Sequence, residues 1–134
     1  MLIREMLVSL NPQELFNTAI RGMAQQGYRC NFFTKKTTGD HCAVGHCLTP
    51  EAQEYLLRKG RNRDTLRELL RGDRSISMDL GGFLEDLQTA NDVSATREQF
   101  YVRMGRLAGD YDLELITYHG CLTEEWRRCP TWQR

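Results

Sequence analysis

The stretch TTGDHCAVGHCLTPE, residues 37–51, decides how this chain is read. His41, Cys42, His46 and Cys47 fall within seven residues, between a turn signal and the helix start Thr49-Pro50. Three chemistries suit such a cluster. A structural zinc takes four ligands in a tetrahedron, usually two matched Cys/His pairs. Here Cys42 and His46 could supply one pair, and only His119 and Cys121, separated by one residue, are left for the second. A nucleophilic thiol needs a histidine brought to it by the fold, and no nucleophile signature surrounds Cys42 or Cys47. The third reading is packing: Cys-Ala-Val-Gly is a run of small residues, Cys is a small buried hydrophobe, and Gly45 permits a tight turn. We read the cluster this way. Cys42 and Val44 then face inward, His41 and His46 lie near the surface, and no catalytic residue, metal or cofactor is expected.

On the N-terminal side, aromatic and Thr residues flank Lys35-Lys36-Thr37-Thr38-Gly39-Asp40, which predicts one small β-hairpin over residues 28–44. Two strands alone are marginal, so the hairpin must lean on helices through Tyr28, Phe32 or Phe33. Before it, NPQELFNTAIRGMAQQG (11–27) carries Asn11 as N-cap, Pro12 at N1, Glu14 where a capping box places it, and Gly27 as a left-handed stop. After it, Thr49-Pro50 opens a helix ending at Gly60, and RDTLRELLRGD (63–73) is short and amphipathic. SMDLGGFLEDLQTANDV (77–93) spaces Leu80, Phe83, Leu84 and Leu87 helically. Asp92 or Ser94 is the expected cap of ATREQFYVRMGRLAGDY (95–111), whose apolar face is Phe100, Met104, Leu107 and Ala108. The expected fold is mainly α (α+β): about five helices packed with one hairpin, in a single globular domain over 1–134, with 119–134 a C-terminal tail or extension.

Composition bounds the function. The chain has 134 residues, 40% hydrophobic and 27% charged, which suits one folded domain. No apolar run approaches the ~18 residues of a membrane span, and Arg4 and Glu5 interrupt the apolar start, so a cytoplasmic chain is expected. Five cysteines without a secretion signal argue against a disulfide framework. The formal net charge is zero, which lowers the expectation of nucleic-acid binding without removing it.

The basic residues are fifteen Arg and three Lys, and seven of them fall between Arg58 and Arg74: Arg58, Lys59, Arg61, Arg63, Arg67, Arg71 and Arg74. Asp64, Glu68 and Asp73 oppose them. Arg63, Arg67 and Arg71 would line one helix face, where like charges repel by a few tenths of a kcal/mol. Either the face is plain and solvated or it meets an acidic partner or a phosphate backbone. Near the C-terminus Trp126 and Trp132, with neighbouring arginines, are residue types that anchor interfaces. Glu85, Asp86, Asp110 and Asp112 are the candidates for an acidic surface.

At NTAIRGMAQQG (17–27), CAVGH (42–46), LQTANDV (87–93) and LAGDY (107–111) the chain resembles small proteins encoded by bacteriophages and prophages, over roughly residues 11–113. The resemblance brings no catalytic role. It implies an accessory protein of the bacterial cytoplasm that binds and modulates a host protein, such as a defence or transcription component. The resulting expectation is a non-enzymatic interaction protein, as monomer or homodimer, using the arginine run, the tryptophans or both. The alternatives are a zinc-stabilised nucleic-acid-binding module with Cys42 and His46 in the site, and a small cysteine-dependent enzyme.

Overall fold

Asn11 does what its position promises: its Oδ1 accepts from the N–H groups of Gln13 and Glu14 and starts a fourteen-residue helix at Pro12. A computed structural model describes residues 1–28 and 32–115. Among these are seven helices: α1 (Ile3–Met6), α2 (Pro12–Gln25), α3 (Ala43–His46), α4 (Pro50–Arg58), α5 (Leu66–Leu70), α6 (Met78–Asp92) and α7 (Arg97–Asp110). The five expected helices are present, and α1 and α3 are single turns beyond them. Glu14 does not complete a capping box on Asn11. The Ser9 hydroxyl accepts from the Asn11 N–H and donates to Glu14 Oε2 at 2.5 Å, relaying the same satisfaction through one more residue.

Helix α2 is the centre of the molecule. Leu15, Phe16, Ala19, Ile20 and Met23 are buried along one face. Gly27, with φ +77, ends it in a Schellman motif: the Gly27 N–H reaches the Ala24 carbonyl and the Tyr28 N–H reaches Met23. Tyr28 is also left-handed, at φ +64, a costly backbone for an aromatic residue. Its ring is fully buried, 5.3 Å from that of Phe100 on α7, and this packing offsets the cost. Helices α6 and α7 supply the apolar faces read from the sequence; Leu80, Phe83, Leu84, Leu87, Phe100, Met104, Leu107 and Ala108 are all buried. The cap of α7 is Thr96, whose side chain accepts from the Gln99 N–H, rather than Asp92 or Ser94. Ser94 is buried and donates its hydroxyl back to the Ala90 carbonyl at 2.6 Å, so it closes α6 instead.

The expected β-hairpin over 28–44 is corrected: no strand forms over residues 32–44. Two contacts of hairpin type exist, Lys35 N–H to Asp40 O and Cys42 N–H to Phe32 O. The remaining backbone groups find other partners. Phe33 donates to the Asn62 carbonyl, and the Asn62 side chain donates to the Thr34 carbonyl. The Gln26 carboxamide takes both groups of His41: Oε1 accepts from its N–H at 3.0 Å and Nε2 donates to its carbonyl. A side-chain amide here replaces a neighbouring strand. Gln13 does the same at the other end of α2, pairing with both the N–H and the carbonyl of Glu114 at 2.8 Å. Cys42 is then the N-cap of α3, with its sulfur accepting from the Gly45 N–H at 3.3 Å. The only β-type pairing among the described residues is the isolated bridge Leu7–Leu48, which ties the N-terminal segment to the residues after α3.

Losing the Gln26 carboxamide leaves two backbone groups of His41 short of partners. Gln26→Ala is expected to lower stability by about 2 kcal/mol in urea unfolding and to speed hydrogen exchange at the His41 amide. Its exposed neighbour serves as control: Gln25→Ala should stay within about 0.5 kcal/mol of the parent.

Candidate functional site

The Cys-His cluster is a crossing of backbones. Helix α3 packs between α2 and α6. A Cβ on Gly45 would overlap the Phe33 carbonyl oxygen and stand 2.8 Å from its carbon. A Cβ on Gly22 of α2 would overlap the His46 ring. Two glycines thus let a loop and an imidazole settle on neighbouring helices. Cys42 is 1% and Cys47 0% exposed. The Cys47 thiol donates to the Leu15 carbonyl at 3.3 Å and the Ala43 carbonyl at 3.6 Å, and full burial pushes its pKa up. A thiol held in this way packs and donates; it is not poised as a thiolate.

The histidines sit less openly than the sequence reading placed them. His46 fills the notch at Gly22, and its Nε2–H donates to Gln26 Oε1 at 2.8 Å. Burial, helped by the neighbouring His41, lowers its pKa to about 4. His41 stacks edge-on to His46 with centroids 5.1 Å apart, and its Nδ1 lies 3.2 Å from the Phe33 carbonyl. Burial lowers its pKa too, against the pull of that carbonyl and of Asp40. Among the described residues no three His, Cys, Asp or Glu side chains are grouped to hold a metal ion. His119 and Cys121 of the four-ligand set lie outside the described residues, as do Trp126 and Trp132.

The arginines divide into two groups. The stripe expected on one helix face is broken, because α5 covers only Leu66–Leu70. Arg63 precedes the cap Thr65, and Arg71 follows the helix in extended conformation, where Gly72 at φ +72 turns the chain. Arg58 is the last residue of α4, and Arg61 and Arg63 belong to the loop after it. The Arg58 guanidinium lies 5.9 Å from the Tyr55 ring centroid, Arg63 lies 5.0 Å from that of Phe32, and Arg61 pairs with Asp64 at 2.8 Å. Arg67 lines a small depression of about 170 Å³ with Glu85, Gln88 and Asp92, so α6 supplies carboxylates around it. Arg71 and Arg74 are exposed beyond it.

Arg74 borders a feature that the sequence reading missed. Ile76, Ser77 and Met78 form a ridge between two open grooves of about 750 and 720 Å³. Leu10, Pro12, Phe83 and Tyr111 line the larger one, with Arg4 at its edge; Leu70, Arg74 and Glu85 line the other. Met78, the first residue of α6, is 93% exposed on this ridge. Ser77 caps α6 below it. Asp73 does not offer a free charge here. Burial pushes its carboxyl up, but hydrogen bonds from Ser75 and the Ile3 N–H outweigh this and hold its pKa low. Of the acidic candidates, Asp86 accepts from the Tyr111 hydroxyl at 2.5 Å and, with burial and nearby Asp110 and Asp79, pushes the phenol to about 12.

His46 predicts a pH dependence. Its folded pKa lies below the ordinary 6.5, so the stability it contributes is present above pH 6.5 and is lost as pH falls toward 4, by about 3 kcal/mol. Urea unfolding of the parent should therefore weaken more between pH 7 and pH 4 than that of His46→Gln, which has no proton to take up. Protein-family models, curated proteins and solved structures give no match to this chain.

Proposed function

We propose that this chain is a non-enzymatic interaction protein that binds a partner protein across the Ile76–Met78 ridge. The observation that carries the reading is Met78: a long apolar side chain, 93% exposed, standing between two grooves. Flexible methionines are favoured at binding surfaces because they adapt to a partner. Arg4 and Arg74 flank the grooves, so the fitting partner element is an apolar segment carrying acidic side chains, with guanidinium forks meeting carboxylates. Arg71 extends the same surface. The resemblance to phage-encoded proteins directs the partner search to a bacterial host protein, of defence or transcription, and the expected effect is inhibition. No helix among the described residues is long and apolar enough to cross a membrane.

Met78 and Arg74 are exposed, so replacing them costs little stability, within about 0.5 kcal/mol. Quantitative co-purification from bacterial cells tests the reading. Met78→Asp and Arg74→Glu are each expected to cut recovery of the partner about tenfold or more, an effect of ~1.4 kcal/mol, with unchanged melting. A partner retained equally by both variants contradicts it.

A further inference from the structure

The fold builds a second basic surface, independent of the ridge, from two chain segments that the sequence keeps apart. The Phe33 N–H donates to the Asn62 carbonyl at 3.1 Å and the Asn62 side chain donates to the Thr34 carbonyl at 3.0 Å. These bonds lay the loop after α4 beside the turn that carries Lys35 and Lys36. That turn is itself fixed, by Lys35 N–H to Asp40 O and Gly39 N–H to Lys35 O. Lys35, Lys36, Arg58, Lys59 and Arg63 are exposed, and the Arg61 side chain is 41% exposed. Against these six cations stand Asp64, paired with Arg61, Asp40 beside His41, and Glu54, one turn before Arg58. A chain of zero net charge therefore carries a local positive excess.

The geometry of the cations narrows the ligand. Arg63 rests over the Phe32 ring and Arg58 over the Tyr55 ring, and both rings are only partly buried. A guanidinium held over a ring is preorganised, and the pair presents flat surface as well as charge. Flat stacking surface is of use to a ligand whose bases are unstacked, and spaced cations are of use to its phosphates. We propose that the face formed by Lys35, Lys36, Arg58, Lys59, Arg63 and the Phe32 and Tyr55 rings binds single-stranded nucleic acid without sequence preference.

Fluorescence anisotropy with labelled oligothymidylate and oligouridylate tests this on the full chain. The expected result is binding at low salt that weakens steeply between about 50 and 200 mM, as release of several counterions requires. Lys35→Glu/Lys36→Glu, on an exposed turn, should reduce affinity about tenfold or more with unchanged melting. Phe32→Leu should reduce it while leaving the salt slope in place, since it removes a stacking plane and no charge. Arg71→Glu/Arg74→Glu, beside the ridge, should leave it unaltered. The proposal is overturned by absence of binding at low salt, by equal affinity for duplex of the same length, or by insensitivity to the lysine substitutions. It is equally overturned if polyglutamate displaces the oligonucleotide at matched charge, which would make the face a docking surface for acidic protein. Because the partner assay uses Met78 and Arg74, failure here leaves the ridge reading standing, and the reverse holds.

Discussion

The molecule is organised by one close approach. The carbonyl of Phe33 lies where the Cβ of any residue but glycine would stand at position 45, and the His46 ring lies where a Cβ would stand at Gly22. This contact presses α3 onto α2 and brings the loop before α3 along with it. Once that loop is pressed down, the backbone polar groups at its buried ends, around Phe33, Thr34 and Cys42, are cut off from water and must be satisfied locally. The Gln26 carboxamide and the Asn62 side chain satisfy loop groups, and the Cys42 sulfur takes the Gly45 N–H at the start of α3. The cluster of imidazoles and thiols follows from this constraint. Cysteines fill buried space on both sides of the turn, and the histidines fill the notch and its edge.

The same device positions both surfaces to which function is assigned. Asn62 joins the loop after α4 to the lysine turn and so assembles charge from residues more than twenty positions apart. Asp73 and Ser75 take the first N–H groups of α1, which draws Arg4 and the N-terminal segment toward the Ile76–Met78 ridge. Gln13 holds the chain after α7 against the start of α2, where Pro12 and Tyr111 line the larger groove. Side-chain amides and short polar residues, rather than a sheet, do the joining in this fold.

What was legible in the sequence follows from how local each signal is. Asn11-Pro12, Thr49-Pro50, Gly27 and Gly60 act within a few residues, and they marked helix ends where the structure has them. The apolar spacing of α6 and α7 predicted their buried faces for the same reason. The hairpin reading failed because aromatic residues around a Gly-Asp turn satisfy two arrangements. The deciding partners, Gln26 and Asn62, are distant in sequence and polar, so no periodicity announces them. Ser94 suits a cap because Ser favours caps, but it bonds back to Ala90 as Ser also does at helix ends. The arginine stripe assumed a helix longer than Thr65 and Gly72 allow. In the sequence Lys35 and Lys36 are turn residues alone, since the fold brings the loop that carries Arg63 to their turn. Met78 gave no signal at all, because exposure is a property of the finished surface.

The fold stands on the crossing at Gly45, and a paired unfolding experiment tests it most directly. Gly45→Ala places a methyl group against the Phe33 carbonyl, whereas Gly105→Ala in α7 meets nothing within 4 Å. Urea unfolding should show Gly45→Ala destabilised by about 3 kcal/mol or unfolded outright, the cost of forced overpacking. It should show Gly105→Ala unchanged or stabilised by about 0.5–1 kcal/mol, the usual helix gain. A Gly45→Ala protein as stable as its parent would contradict the close approach and, with it, the reading of the Cys-His stretch as a packing joint.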